Sequence, residues 1–213
     1  MDPVTEGRRP LAVRGTGWAQ AAARRLTARG VAPDTISKAS LVFAAAAFAC
    51  FWAAGQGVWP FLLVGAACVQ GRLLCNLFDG MVAVEGGRGG PEGPFWNEVP
   101  DRPADLLILT GAGLACGSLA LGLAAGGAAL MTAYLRAMSV ALGRGEDFGG
   151  PFAKQQRMAA VTVAALIGAA EAAIWGTAWA MTAALWLVTL GGALTAWLRG
   201  RRLLSALAAN RAE

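Results

Sequence analysis

Carboxylates must carry any acid-base or metal chemistry in this chain, because histidine is absent from its 213 residues. That absence excludes Ser-His-Asp and Cys-His hydrolysis, zinc-histidine sites and any phospholipase built on a histidine nucleophile. The four cysteines, Cys50, Cys68, Cys75 and Cys116, stand inside apolar runs without CxxC spacing and read as small buried hydrophobes. The informative acids gather in two stretches, CNLFDGMVAVE from Cys75 to Glu85 and NEVPDRPADLLIL from Asn97 to Leu109. On a helix, Asn76, Asp79, Gly80 and Ala83 fall at i, i+3, i+4 and i+7. One face then offers an amide oxygen, a carboxylate and room beside two small residues. Asp101 and Asp105 are one turn apart and Glu98 precedes Asp101 by three, so these acids share a face if a helix has begun by then. Pro100 and Pro103 are tolerated at a helix start. Two such faces meeting concentrate charge that a cation must offset, and hard oxygen donors select Mg²⁺ or Mn²⁺, ions that also hold phosphates. Asp101 alone reads better as a solvated loop residue or helix cap; the whole set, with Gly80 and Ala83 in step, does not.

Cations accompany the acids. Arg136 lies inside an apolar run, and Lys154 and Arg157 follow the loop after it, suiting a phosphate-bearing acceptor. Positive-inside placement explains Lys154 equally well, whereas Arg136 is harder to dismiss because it sits within the span. Arg72 stands one turn before Asn76 on the same face, either to neutralise a carboxylate or to reach a lipid phosphate. Glycine-rich GRGGPEGPF lacks Walker spacing and reads as a loop.

The elements that must position these groups are membrane helices. The chain is 56% hydrophobic and only 15% charged, with mean hydropathy +0.52, against the quarter or so of charged residues in a soluble domain. Disorder and a free-standing nucleic-acid binder are disfavoured, so no nucleic-acid partner is expected despite net charge +5. Apolar runs place spans at Ser40–Ala54, Val58–Phe78, Leu106–Leu123, Ala124–Leu142, Met158–Trp175 and Thr177–Leu198. Several fall short of the roughly 20 residues a lone span wants, which suits a close-packed bundle rich in Ala and Gly, with Gly111, Gly113 and Gly117 at helix contacts. Glu171 is assigned to structure or the outer boundary, and Tyr134 and the tryptophans to interfacial belts. Uncharged connections at Gly55–Gly57, Ala124–Gly127 and Gly176 alternate with charged ones. By the positive-inside rule both termini and the acidic loops are cytoplasmic. A soluble core of buried helices is the competitor, and the segregation of charge argues against it. Before the first span, Trp18, Ala22 and Leu26 at four-residue spacing, with Arg24, Arg25 and Arg29 elsewhere, read as an interfacial helix or a merely solvated one. No cleaved secretory signal is expected. The expected organisation is a cytoplasmic segment 1–37 with that amphipathic helix, an all-α domain 38–198 of six transmembrane helices and a cytoplasmic tail 199–213.

The stretch from Asn76 to Asp105 resembles the DxxDGxxAR…GxxxDxxxD signature of the CDP-alcohol phosphotransferase family. In this sequence it reads NLFDGMVAV, a longer insert, and NEVPDRPAD. Asn76 stands at the first motif Asp; Asp79, Gly80, Ala83, Asp101 and Asp105 match, and PDTIS at Pro33–Ser37 resembles the family's nucleotide-contacting segment before the first span. The resemblance implies a homodimeric enzyme, expected in a bacterial inner membrane, that moves a phosphatidyl group from a CDP-linked lipid such as CDP-diacylglycerol to an alcohol, releasing CMP. It implies Asn76, Asp79 and Asp101, with Glu98, on Mg²⁺ or Mn²⁺, and Asp105 as general base. Pro33, Asp34, Ser37, Gly80 and Ala83 would line the nucleotide site. Arg72, Arg136, Lys154 and Arg157 would meet phosphate, the latter three pointing to glycerol 3-phosphate or an inositol phosphate. Four departures bear on activity: Asn76 for the first Asp, Val84 for the motif Arg, Asn97 for the Gly before the third Asp, and the longer, Gly-rich insert after Val84. Glu98, or Glu85 past the second span, would restore the missing charge. The alternatives are the same fold with another donor or a lipid acceptor, an inactive relative, or a membrane scaffold or transporter.

Overall fold

The computed structural model describes residues 12–85 and 92–209, and every regular element among them is helical. A 3-10 turn at Ala12–Gly15 precedes α1 (Gly17–Ala28), α2 (Pro33–Gly55), α3 (Phe61–Glu85), the short α4 (Gly93–Glu98), α5 (Asp101–Ala115), α6 (Leu119–Ala141), α7 (Lys154–Trp175) and α8 (Trp179–Ala209). Local chemistry sets the boundaries. Pro33 at the first position, with Asp34 in the first turn, starts α2. Ser118 accepts the Leu121 N–H and starts α6, and Gly176, at φ 66°, closes α7 in the left-handed region.

Packing closes a ring. Helix α2 lies on α3 and α5, α3 on α7, α7 on α8, α8 on α6, and α6 on α5. One apolar core runs through all of these helices, built largely from alanine with Phe51, Ile108, Leu109, Met158 and Leu185. Glycine brings backbones together: a Cβ at Gly113 would stand 2.7 Å from Gly122 Cα, and one at Gly111 2.8 Å from Phe48 Cα. The outer faces carry exposed Val42, Leu63, Leu123, Val163, Leu187 and Leu194. An apolar exterior of that extent belongs in lipid. Among the described residues five helices, α2, α3, α6, α7 and α8, are long and apolar enough to cross a bilayer, so the chain is a polytopic membrane protein.

The six expected spans are thus five of crossing length and one short helix. Helix α5 has 15 residues and extends about 22 Å, less than the roughly 30 Å hydrocarbon core. The expected break at Ala124–Gly127 lies inside α6; the chain turns instead at Cys116–Ser118, where Gly117 takes φ 73° and Ser118 caps. Gly117 therefore serves a turn, while Gly113 makes the packing contact. Helix α8 continues past Leu198 to Ala209, and α2 begins at Pro33, so both expected domain boundaries fall within helices. In α1 the buried face is Ala19 and Ala23, set against α3, with Leu26 beside them; Trp18 stays exposed, its ring edge on Phe78, and Ala22 is not on that face.

Candidate active site

Because α2, α5 and α7 run opposite to α3, α6 and α8, the N-terminal ends of the first three meet the C-terminal halves of the others at one end of the ring. Asp101 and Asp105 come from the first two turns of α5, Asn76 and Asp79 from α3, and Lys154 and Arg157 from the start of α7. The i, i+4 spacings of Arg72 with Asn76 and of Asp101 with Asp105 turn each pair toward the other helix.

Arg72 is the pivot. Its side chain is wholly buried, and Nη2 donates to Asp101 Oδ1 at 3.0 Å and Asp105 Oδ1 at 2.7 Å. Lys154 Nζ pairs with Asp101 Oδ2, and Arg157 Nη2 with Asp105 Oδ2 at 3.0 Å. Asn76 Nδ2 donates to Asp101 Oδ1 at 2.5 Å. Asp79 accepts the Ser37 hydroxyl at 2.9 Å and the Gly80 N–H at 2.5 Å.

In front of this cluster opens a cavity of about 390 Å³, lined by Asn76, Gly80, Asp101, Lys154 and Arg157 and, on its far side, by Glu98, Arg102, Thr132, Arg136, Glu146, Phe148 and Arg199. Arg136 donates to both Glu98 oxygens at 2.7 and 2.6 Å, approaches Glu146 at 3.8 Å and stacks over Phe148. Arg199, nearly buried, donates to the carbonyls of Thr132 at 2.7 Å and Gly149 at 2.9 Å. Two acids sit in the loop before α7. Burial pushes the Glu146 carboxyl up, with Arg136 pulling against it and Glu98 adding to the rise. Burial acts the same way on Asp147, but hydrogen bonds from Arg202 and the Gly149 N–H, with the charges of Arg202 and Arg199, outweigh it and hold the carboxyl below the usual range.

Of the residues expected to act, Asn76, Gly80, Asp101, Lys154, Arg157, Arg136 and Glu98 face the cavity, whereas Arg72, Asp79 and Asp105 form the layer behind. Glu98 lines the same cavity as Asp101. It ends α4, separated from α5 by Val99 and Pro100, and is taken by Arg102 and Arg136. Ser37 reaches the site by holding Asp79, while Pro33, Asp34 and Ala83 do not line the cavity. The side chain of Glu85, the other candidate for the missing charge, lies outside the described residues, as does most of the insert after it. Arg199, Thr132 and Phe148 escaped the sequence reading. The available signal was the apolar spacing of Leu203, Leu204 and Leu207, which carries the last helix past Leu198 and turns Arg199 from tail into wall.

A divalent ion does not fit this donor set as arranged. All four oxygens of Asp101 and Asp105 are engaged by Arg72, Lys154 and Arg157, and Asn76 presents its amide nitrogen to Asp101. Among the described residues no three acids or thiols are grouped to hold a metal.

A ring of six helices with a charged cleft at one end defines the class, a membrane-embedded all-α fold. No family model and no curated protein matches the sequence. Solved structures do: the chain is similar to Mycobacterium tuberculosis phosphatidylinositol phosphate synthase (PgsA1) with CDP-DAG bound, at TM-score 0.69 and 22% identity over 87% of this chain and 92% of that one. Similarity to the same enzyme in complex with manganese and citrate has TM-score 0.70 and 23% identity over 87% and 88% of the two chains. The fold implied by the motif resemblance is thus the fold observed.

Proposed function

We propose that this protein binds a CDP-linked lipid in the cleft and transfers its phosphatidyl group to a small phosphorylated alcohol, releasing CMP. The carrying observation is the cavity, where Arg136, Lys154, Arg157 and Arg199 surround a motif carboxylate, Asp101, in the fold of a synthase that holds CDP-DAG. Four cations around the cavity suit two phosphate-bearing partners, and the apolar outer faces of α2, α3 and α7 offer acyl chains a lipid-side approach. In the transfer, the acceptor hydroxyl oxygen bonds to the lipid-side phosphorus, the bond from that phosphorus to the bridging oxygen breaks, and CMP leaves with that oxygen. Cationic walls offset the charge that develops. Asp105, aligned by the resemblance with the general base, accepts the hydroxyl proton only if its pair with Arg157 or Arg72 opens. Glycerol 3-phosphate and an inositol phosphate are the acceptors that fit the cationic wall. The charged end faces the cytoplasm of a bacterial inner membrane by the positive-inside rule, and the motif resemblance supports a homodimer.

The saturation of Asp101 and Asp105 by cations favours a second reading, a protein that binds the CDP-linked lipid without turning it over. The test is CMP release from CDP-diacylglycerol by the purified full chain, in chelator and in Mn²⁺, across a panel of acceptors, with Asp101→Asn as control. Acceptor-dependent release lost in the variant establishes transfer. Saturable CDP-diacylglycerol binding without release selects the second reading, and absence of both refutes the cleft as a CDP-lipid site.

A further inference from the structure

We infer that the acidic cluster is neutralised by the chain's own cations and takes no divalent ion, Arg72 and Lys154 standing in the coordination space a metal would need. This inference rests on side-chain geometry and is independent of the transferase reading. Charge balances first: Asp101 and Asp105 pair with Arg72, Lys154 and Arg157, and buried Asp79, held by the Ser37 hydroxyl and the Gly80 N–H, brings the count to three acids and three bases, so the cluster is neutral without any added ion. Asparagine at position 76 is what permits the balance, since a fourth carboxylate there would leave one charge over. Its amide hydrogen points at Asp101, the orientation a carboxylate acceptor demands and the opposite of a metal ligand's.

Geometry repeats the point. A bridging cation between two carboxylates sits within hydrogen-bond reach of one oxygen from each, and Arg72 Nη2 occupies that position at 3.0 and 2.7 Å. Lys154 and Arg157 take the outer oxygens of the same carboxylates. Buried side-chain atoms of this cluster that lack a partner among the described residues are all nitrogens, Nε and Nη1 of Arg72 and Nε of Arg157; no oxygen of Asp79, Asp101 or Asp105 is among them. A hard-cation site requires spare acceptors in near-octahedral array, and this cluster has spare donors instead.

The experiment uses Mn²⁺ alone as the probe on purified full chain in detergent, reading bound ion by loss of its free paramagnetic signal and unfolding temperature with Mn²⁺ or chelator. The wild type is expected to bind no stoichiometric Mn²⁺ and to melt identically in both buffers. In Arg72→Met with Asn76→Asp, a fourth carboxylate meets an opened bridge, so Mn²⁺ affinity rises by about tenfold or more, the scale on which ligand charge tunes such sites. Its Tm then rises with Mn²⁺ by mass action. Should that variant fold poorly, Lys154→Met with Asn76→Asp frees Asp101 Oδ2 at a partly exposed position and carries the same expectation. Stoichiometric Mn²⁺ binding by the wild type overturns the inference, as do folded variants that bind the ion no more tightly than it does.

Discussion

Replacing Arg72 by methionine removes the pivot of the cluster while keeping an apolar stem of similar reach. The wild-type guanidinium is wholly buried and holds Asp101 at 3.0 Å and Asp105 at 2.7 Å. Removing one partner of a buried ion pair leaves an uncompensated charge and costs about 3–5 kcal/mol. Here both carboxylates keep a second cation, Lys154 for Asp101 and Arg157 for Asp105, and Asn76 still donates to Asp101. The expected loss is therefore at the lower end, about 3 kcal/mol, or somewhat over a hundredfold in the folded-to-unfolded ratio. Arg72→Lys keeps the charge, and one nitrogen suffices to bridge both carboxylates as Nη2 does, but it sits on a shorter side chain, so it should recover about half of the loss. Reversible unfolding of the purified protein by SDS in mixed micelles, followed by tryptophan fluorescence and run in chelator, measures both variants. A loss below about 1 kcal/mol for Arg72→Met, the scale of an exposed pair, would refute the reasoning, because the two aspartates would then be neutralised by something other than Arg72.

Two further expectations follow from packing at the other end of the ring and at its closest helix contact. Glu171 accepts hydrogen bonds from the Thr177 hydroxyl and the Trp179 N–H at 2.6 Å and from the Ala180 N–H at 2.9 Å, so it caps the first turn of α8 from α7. Glu171→Gln should cost about 1 kcal/mol, as loss of a charged cap does, without altering CDP-diacylglycerol binding; an unchanged unfolding midpoint would contradict the capping role. A Cβ at Gly113 would meet Gly122 Cα and Ser118 O at 2.7 Å, both backbone atoms that cannot step aside, whereas one at Gly127 meets nothing within 4 Å. Gly113→Ala should destabilise by about 1–3 kcal/mol, and Gly127→Ala should be neutral or stabilise by about 0.5–1 kcal/mol. The same unfolding series tests the contrast, and equal effects at the two glycines would remove the case for close α5–α6 contact.

Much of the fold could be read before any coordinates. Apolar runs between charge clusters located all the long helices, because burial in lipid imposes one composition along an entire span. The errors fell where composition is uniform. Across Leu106–Leu142 glycine and alanine recur throughout, so Gly126 and Gly127 imitate a turn as well as Gly117 does. The choice was made by Ser118, whose side chain caps α6, and by Leu106, which packs where a Cβ on Gly126 would stand. Helix α1 went the same way: its spacing admits two apolar faces, and contact with α3 selects Ala19 and Ala23.

The candidate site divides along the same line. Residue types and helical spacing suffice to place Arg72 with Asn76, and Asp101 with Asp105, on single faces, and the lack of histidine leaves acid chemistry to carboxylates; each is a local property of a 3.6-residue helix or a plain count. Which face meets which cation is a long-range matter. Arg72 lies 29 and 33 positions from the aspartates it bridges, and Lys154 lies 53 from Asp101. No periodicity reports on that distance. Glu98 shows the consequence, since its pair with Arg102 is a local i, i+4 contact, while its pair with Arg136 spans 38 positions that no spacing reports. Counting charges yields an acid-rich motif in want of a cation; only the closing of the ring brings α3, α5 and α7 near enough for the chain to supply that cation from its own side chains.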